Sequence, residues 1–191
     1  MRKTELRKTF LARQKRLSSD ERREKTASVV QKLFAEFDFS SKHFVNCFVT
    51  LEKNNELDSF EIFQKLWREF PAITTTAPRI NFEMNALENV RVSPATKFVA
   101  NKWNILEPEE DDFIETAKLD VVLIPLIAFD ARGFRVGYGK GFYDKFLIKC
   151  RPDCRKIGLS LFPPVEKVAD NEVWDVPLDL CVTPERIWNF K

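Results

Sequence analysis

The apolar run at residues 120–127, with the sequence DVVLIPLI, constrains the fold more than any other segment. It is far shorter than the roughly 20 apolar residues that a membrane-spanning helix needs. It also lacks the alternation of a strand that has one face in water. Such a run is typical of a strand buried on both faces, as in a parallel sheet covered by helices. We therefore expect this strand at the centre of an α/β sheet.

Helical and extended patterns alternate on both sides of this run. Helices are predicted where apolar residues recur at helical spacing, at 3–17, 20–37, 58–70 and 142–150. Further strands are predicted at 44–50, 155–160 and 179–183, with weaker candidates at 72–76 and 79–84. The segment 93–113, which contains prolines and an acidic run, is interpreted as an extended surface loop. The alternation predicts one α/β domain over residues 1–191, with three layers and a mostly parallel sheet flanked by helices.

Charge and composition restrict the classes of function. The net charge of +2 is too small to indicate a polyanionic partner such as nucleic acid. The chain lacks an 18-residue apolar run and an apolar signal core, so we expect neither a membrane segment nor secretion. Four cysteines without a secretion signal favour free thiols in the cytoplasm. A single histidine, His43, excludes histidine triads and polyhistidine metal sites. The expectation is a cytoplasmic monomer that acts on a small molecule.

The glycines are concentrated in one place. Four of the five lie within nine residues: Gly133, Gly137, Gly139 and Gly141. They separate the central strand from a predicted helix, where open parallel sheets bind ligands and helix N-termini bind anions. Arg135 and Lys140 add cations that suit phosphate oxygens. The spacing is neither that of a P-loop nor that of a dinucleotide fingerprint, and a tight turn without a ligand is the alternative.

Charged residues near this loop extend the prediction. Asp144 follows the glycines. Its carboxylate is suited to hold magnesium that is bound to phosphate. The alternative is that it stabilises the dipole of the helix that begins there. Lys3 and Arg7 are four residues apart on one helix face, so they form either a phosphate clamp or part of a solvated surface.

Residues 121–147, VVLIPLIAFDARGFRVGYGKGFYDKFL, resemble the signature block of the 5-formyltetrahydrofolate cyclo-ligase family. Other matches follow in the same order: Lys3-x-x-Leu6-Arg7, Glu56, Trp103 and Trp174-Asp175-x-x-Leu178-Asp179. The resemblance implies a fold like that of NagB, RpiA and the CoA-transferases. It also implies closure of 5-formyltetrahydrofolate, with or without a polyglutamate tail, to 5,10-methenyltetrahydrofolate, using ATP and Mg²⁺.

The same resemblance assigns roles to residues. Those implied to bind the nucleotide are Lys3, Arg7, Arg135, Gly137, Tyr138, Gly139, Lys140, Gly141, Phe142, Tyr143 and Asp144. Those implied to be catalytic are Lys140, Arg135 and Tyr143, and those implied to bind the folate are Glu56, Trp103, Tyr138 and Tyr143. The implied metal ligands are Asp144 and Asp175.

The chain departs from the family pattern at two site positions. Trp174 stands where many members have His or Asn, and Phe142 stands where Tyr is usual. Two other functions remain as alternatives: a sugar-phosphate isomerase of similar architecture that needs no ATP, and a non-catalytic nucleotide or RNA binder.

Overall fold

The computed structural model of the protein describes residues 1–190. Its helices are α1 (Lys3–Lys15), α2 (Ser19–Glu36), α3 (Phe60–Glu69) and α4 (Phe142–Leu147). Its strands are β1 (Phe44–Cys47), β2 (Thr74–Asn81), β3 (Ala86–Val92), β4 (Phe98–Ala100), β5 (Leu106–Pro108), β6 (Phe113–Ile114), β7 (Val121–Pro125), β8 (Ala128–Phe129), β9 (Arg135–Val136), β10 (Arg155–Leu159), β11 (Leu180–Val182) and β12 (Ile187–Asn189). Within this described part, no helix combines the length and apolar character needed to cross a membrane.

Eight strands form one sheet in the order β12-β11-β10-β7-β1-β2-β3-β6. The five strands from β11 to β2 are parallel to their neighbours, and the strands at both edges are antiparallel. The apolar run lies in the middle as β7, and Val121 and Ile124 are completely buried. The prediction of a central, doubly covered strand in a mostly parallel sheet is therefore confirmed.

The two faces of the sheet carry separate cores. Leu6 of α1, Leu33 of α2 and Phe63 of α3 pack on one face with Leu123 of β7. On the other face, Phe146 of α4 belongs to a separate cluster. There are two cores because successive residues of a strand point to opposite faces of the sheet. This gives the three layers that the alternation predicts.

Several predicted boundaries are wrong. The strand expected at 44–50 ends at Cys47, and the candidates at 72–76 and 79–84 are one strand, β2. Pro78 lies inside β2 but beyond the residues that pair with β1, so its missing N–H leaves no gap in that ladder. The helix expected at 142–150 ends at Leu147.

The segment 93–113 is more ordered than a surface loop. Strands β4 and β5 pair as an antiparallel ribbon, and Glu107 and Pro108 of β5 are buried. The hairpin of β8 and β9 also separates the central strand from the glycine loop, which sequence analysis placed directly after that strand.

Candidate active site

One cavity of about 760 Å³ opens at the carboxyl ends of the central strands. Phe48 and Val49, just after β1, and Pro125, the last residue of β7, lie in its wall. Ligands bind at this edge in open α/β sheets. Every site residue predicted from the sequence lines this cavity: Lys3, Arg7, Glu56, Trp103, Arg135, Gly137, Tyr138, Gly139, Lys140, Gly141, Phe142, Tyr143, Asp144 and Asp175.

Helix α1 runs along the cavity and touches two of its groups near the N-terminal end. The Lys3 ammonium donates a 2.5 Å hydrogen bond to Oδ2 of Asp175, and both side chains are largely buried. One turn further, Nε of Arg7 donates to the carbonyl oxygen of Gly137 at 2.7 Å. Both predicted clamp residues therefore face the cavity and are not part of a solvated surface.

The C-terminal part of α1 lies near the segment that carries Glu56. Nε2 of the buried Gln14 donates to the carbonyl oxygen of Asn54 at 2.7 Å, two residues before Glu56. Lys3 and Gln14 are eleven residues apart, which corresponds to about 16 Å along the helix axis. Helix α1 therefore contacts Asp175 near its start and the segment that leads to Glu56 near its end.

The glycine loop has the backbone conformation that only glycine adopts easily. Gly139 and Gly141 have φ angles of 95° and 68°, in the left-handed region. Gly141 precedes α4, which has only six residues, so its dipole is weaker than that of the predicted helix. The loop therefore offers an anion mainly its backbone amides and side-chain cations.

Lys140 is an exposed cation at the edge of the cavity. Its Nζ lies 5.2 Å from the centroid of the Trp103 ring, and that ring lies 6.1 Å from the ring of Phe142. The connection between β4 and β5 thus contacts the glycine loop through Trp103.

Arg135 is buried and its guanidinium is occupied. It donates to Oδ1 of Asp144 at 2.8 Å and to the carbonyl oxygen of Val176. Burial lowers the pKa of Arg135, and the Asp144 carboxylate opposes that shift. The structure gives Arg135 a positioning role toward Asp144, and its contact with phosphate stays a prediction.

Asp144 and Asp175 each keep one carboxylate oxygen for a ligand. Arg135 binds Oδ1 of Asp144, and Lys3 binds Oδ2 of Asp175. Within residues 1–190 the second oxygen of each has no hydrogen-bond partner, and no cluster of three acidic, Cys or His ligands occurs. Mg²⁺ commonly takes one or two carboxylates together with phosphate oxygens and water, so this donor set fits it.

Glu56 is a buried carboxylate that forms no ion pair with any residue in the range 1–190. Its Oε2 accepts a 2.7 Å hydrogen bond from the backbone N–H of Leu51, and its Oε1 accepts one from the Tyr138 hydroxyl. Burial raises the pKa of Glu56 to about 7, and these hydrogen bonds limit the rise. Burial and the nearby Glu56 raise the pKa of Tyr138 as well. Glu56, held by Tyr138, is therefore suited to a ligand that presents N–H donors.

The Tyr143 hydroxyl is buried without a partner among the described residues. An unsatisfied buried hydroxyl costs about 1–3 kcal/mol. Because Tyr143 lines the cavity, a bound ligand could provide the missing partner.

Sequence analysis missed Glu107, a second buried acid in the cavity wall. Its Oε1 accepts a 2.8 Å hydrogen bond from the backbone N–H of Ile80, and burial raises its pKa. The only sequence signal was its position four residues after Trp103, in a segment interpreted as a loop.

A mostly parallel α/β sheet with a glycine loop, cations and two carboxylates around one cavity is typical of enzymes that handle a phosphorylated small molecule. Within that class, the chain belongs to the 5-formyltetrahydrofolate cyclo-ligase family, whose sequence profile matches residues 1–184.

Relatives and solved structures agree with this membership. The 5-formyltetrahydrofolate cyclo-ligase of Escherichia coli K12 is 34% identical over 155 residues, covering 74% of this chain and 79% of that protein. The cyclo-ligase of Mycoplasma genitalium is 30% identical over 184 residues, covering 94% and 96%. The solved structure of Aquifex aeolicus 5,10-methenyltetrahydrofolate synthetase has a TM-score of 0.84 and 28% identity, covering 100% of this chain and 94% of that one.

Proposed function

We propose that this protein is a C–N ring-forming ligase that closes 5-formyltetrahydrofolate to 5,10-methenyltetrahydrofolate and converts ATP to ADP and phosphate. The observation that carries the proposal is the order of groups in one cavity. A buried acid suited to N–H donors, Glu56, bonds Tyr138 of the glycine loop. Helix α1 bonds the same loop through Arg7 and the carboxylate of Asp175 through Lys3, and all of these residues line the cavity. A folate and a triphosphate placed in that order meet at the glycine loop.

The chemistry starts from a carbonyl that is a poor electrophile. The formyl oxygen attacks the γ-phosphorus of ATP, the bond to the bridging oxygen breaks, and ADP leaves. This gives an N5-iminium phosphate. N10 then attacks the activated carbon and loses its proton, and inorganic phosphate departs as the ring closes. None of these steps needs a protein nucleophile, so the enzyme acts by positioning and charge neutralisation.

The charged groups of the loop are proposed to hold the triphosphate. Lys140 is exposed at the cavity and is free to reach phosphate oxygens, while Arg7 already lies against the loop at Gly137. Lys3 reaches the same region from the first turn of α1. Cations near a phosphoryl group stabilise the charge that spreads over its oxygens in the transition state.

The part of the cavity around Glu56 is proposed to bind the pterin. An ionised Glu56 accepts hydrogen bonds from ring N–H and amino groups, with Tyr138 orienting it. The exposed part of Trp103 offers a flat surface for the folate rings.

Asp144 and Asp175 are the residues proposed to hold Mg²⁺. The ion, when bound, neutralises phosphate charge and orients the triphosphate. Arg135 keeps Asp144 in place from its buried side.

The test is the absorbance of the methenyl-folate band with purified protein, 5-formyltetrahydrofolate, Mg²⁺ and ATP, with a parallel sample lacking ATP. A rise that requires ATP supports the proposal. Turnover of a sugar phosphate without nucleotide would favour the isomerase alternative. Strong, salt-sensitive RNA binding without any rise would favour a non-catalytic binder.

Further parts of the proposal concern the protein as a whole. One sheet draws strands from residues 44 to 189, which supports a single domain over 1–191. Its four cysteines are free thiols, which suits the cytoplasm. Lys53 and Lys102 near the Trp103 end of the cavity suit the carboxylates of a polyglutamate tail. We also propose that the protein is a monomer, which a measurement of its molar mass by light scattering tests.

A further inference from the structure

Trp174 is an exposed aromatic residue in the wall of the cavity. It is 62% exposed, although large aromatic side chains are usually well buried. It immediately precedes Asp175, and both residues line the cavity. An aromatic ring left open to a ligand cavity suggests that a ligand covers it.

The backbone on the C-terminal side of Trp174 is fixed by site residues. Asp175 is held by Lys3. The carbonyl oxygen of Val176 accepts from Arg135, and its N–H donates to Oδ1 of Asp144 at 3.2 Å. The ring therefore projects from a turn whose position is set by the proposed phosphate and metal groups.

Two other aromatic side chains of the cavity have partners within the chain. Trp103 lies against Phe142, and the Tyr138 hydroxyl donates to Glu56. Among residues 1–190, no ring pair and no cation over a ring involves Trp174. Its exposed ring is therefore available to stack on a planar group.

The position along α1 indicates which part of a ligand reaches this ring. Trp174 lies next to Asp175, which bonds Lys3, whereas Gln14 bonds Asn54, two residues before Glu56. Lys3 and Gln14 themselves are about 16 Å apart along the helix axis. With the pterin at Glu56, the γ-phosphate must point toward it. The nucleoside must then extend in the opposite direction, toward Trp174.

We propose that Trp174 is the stacking platform for the base of the nucleotide, and hence a residue that sets nucleotide affinity. This inference rests on the proposed use of ATP. Stacking reads the π-face of a base and not its hydrogen-bonding edge, so it tolerates different bases. The chain is therefore expected to bind adenine and guanine nucleotides with similar affinity. Trp174 thus contributes base affinity without selecting between purines.

The experiment is calorimetry on the full chain with Mg²⁺, comparing a non-hydrolysable ATP analogue, inorganic tripolyphosphate and 5-formyltetrahydrofolate. Trp174→Ala is expected to weaken the analogue about 5- to 100-fold, the range of base–aromatic stacking, and to leave tripolyphosphate unchanged. Trp174→Phe should restore much of the affinity. Val173→Ala is the matched control, because Val173 is the adjacent residue, is 97% exposed and does not line the cavity. Thermal melts verify that each variant is folded.

Three results with Trp174→Ala would overturn the inference while leaving the proposed function intact. These are an unchanged affinity for the analogue, an equal loss for the analogue and tripolyphosphate, and a loss confined to 5-formyltetrahydrofolate. The second would mean that Trp174 acts through Asp175, and the third that it stacks on the folate. If the unaltered protein binds tripolyphosphate but gains nothing from the nucleoside, the platform is excluded. If it binds neither ligand, the proposed use of ATP fails as well.

Discussion

Nε of Arg7 donates a 2.7 Å hydrogen bond to the carbonyl oxygen of Gly137, and this bond ties the first helix to the glycine loop. The same guanidinium lies so close to Gly139 that a Cβ atom there would be 3.2 Å from Cζ of Arg7. The loop and the helix are thus fitted to each other before any ligand binds. A change at either residue should therefore alter the geometry of the loop.

Gly139→Ala should destabilise the protein and weaken nucleotide binding. The residue has a φ of 95°, which an L side chain rarely adopts, and its new methyl group would press on Arg7. We expect a loss of about 1–3 kcal/mol in the free energy of unfolding, measured by urea titration.

Gly137→Ala is the matched control in the same loop. A Cβ there meets nothing within 4 Å, and φ lies outside the left-handed range. Its stability should stay the same or rise by up to about 1 kcal/mol, because alanine restricts the unfolded chain. Equal losses for the two variants would contradict the geometry described for this loop.

Lys140→Ala should lower turnover strongly and leave the fold intact. Lys140 is exposed and makes no hydrogen bond in the described chain, so its removal costs little stability. Loss of one electrostatic donor to a transition state costs about 2–4 kcal/mol, or roughly 30- to 1000-fold in turnover. Steady-state kinetics with Lys149→Ala, an exposed lysine outside the cavity, provides the comparison. Near-normal turnover of Lys140→Ala would remove its proposed role.

The parts of this protein that can be predicted are those with a clear signal in the local sequence. The central strand β7 has a continuous apolar run, and the glycine loop has a concentration of one residue type, so both are visible without the fold. Strand β3 was missed because polar residues at Glu88, Asn89 and Arg91 interrupt the apolar residues of its sequence ALENVRV. Its Asn89 is buried because Oδ1 accepts a 2.8 Å hydrogen bond from Asn46 of β1, and no local pattern reveals that partner.

The same distinction applies inside the candidate site. Spacing placed Arg135 near the loop but did not reveal that its guanidinium pairs with Asp144. Glu107 was missed because its burial depends on the ribbon packing against β2, where the N–H of Ile80 becomes its donor. Which side chains line the cavity was predictable here, but which of them already bind one another depends on tertiary contacts.

Asp144→Asn should destabilise the protein as well as impair any metal-dependent step. The Arg135 side chain is only 5% exposed, and the substitution removes the carboxylate that is hydrogen-bonded to its buried charge, which leaves only the electrostatic influence of Asp175. Breaking a buried pair costs roughly 3 kcal/mol, measured by urea unfolding. Asp111→Asn, which loses an exposed pair with Arg79, should cost less than about 1 kcal/mol. The double variant Arg135→Met/Asp144→Asn should lose less than the sum of the single losses, and strict additivity would refute the coupling.

Glu56 should make the stability of the fold depend on pH. Burial raises its pKa from 4.5 to about 7, so the folded state favours the protonated acid. For a raised pKa, the stability from this group is fully present below pH 4.5. It is lost as the pH rises from there to about 7, because the unfolded chain releases the proton first.

The measurement is urea unfolding of the unaltered protein and of Glu56→Gln at several pH values. Glutamine keeps the size of the side chain and cannot ionise, so subtracting its curve removes the contributions of all other groups. The difference in free energy of unfolding should shift in favour of Glu56→Gln by about 3 kcal/mol between pH 4.5 and 7. Above about pH 8 it should stay constant. A difference that does not change with pH would mean that Glu56 ionises normally despite its burial, and that the cavity solvates it before a ligand enters.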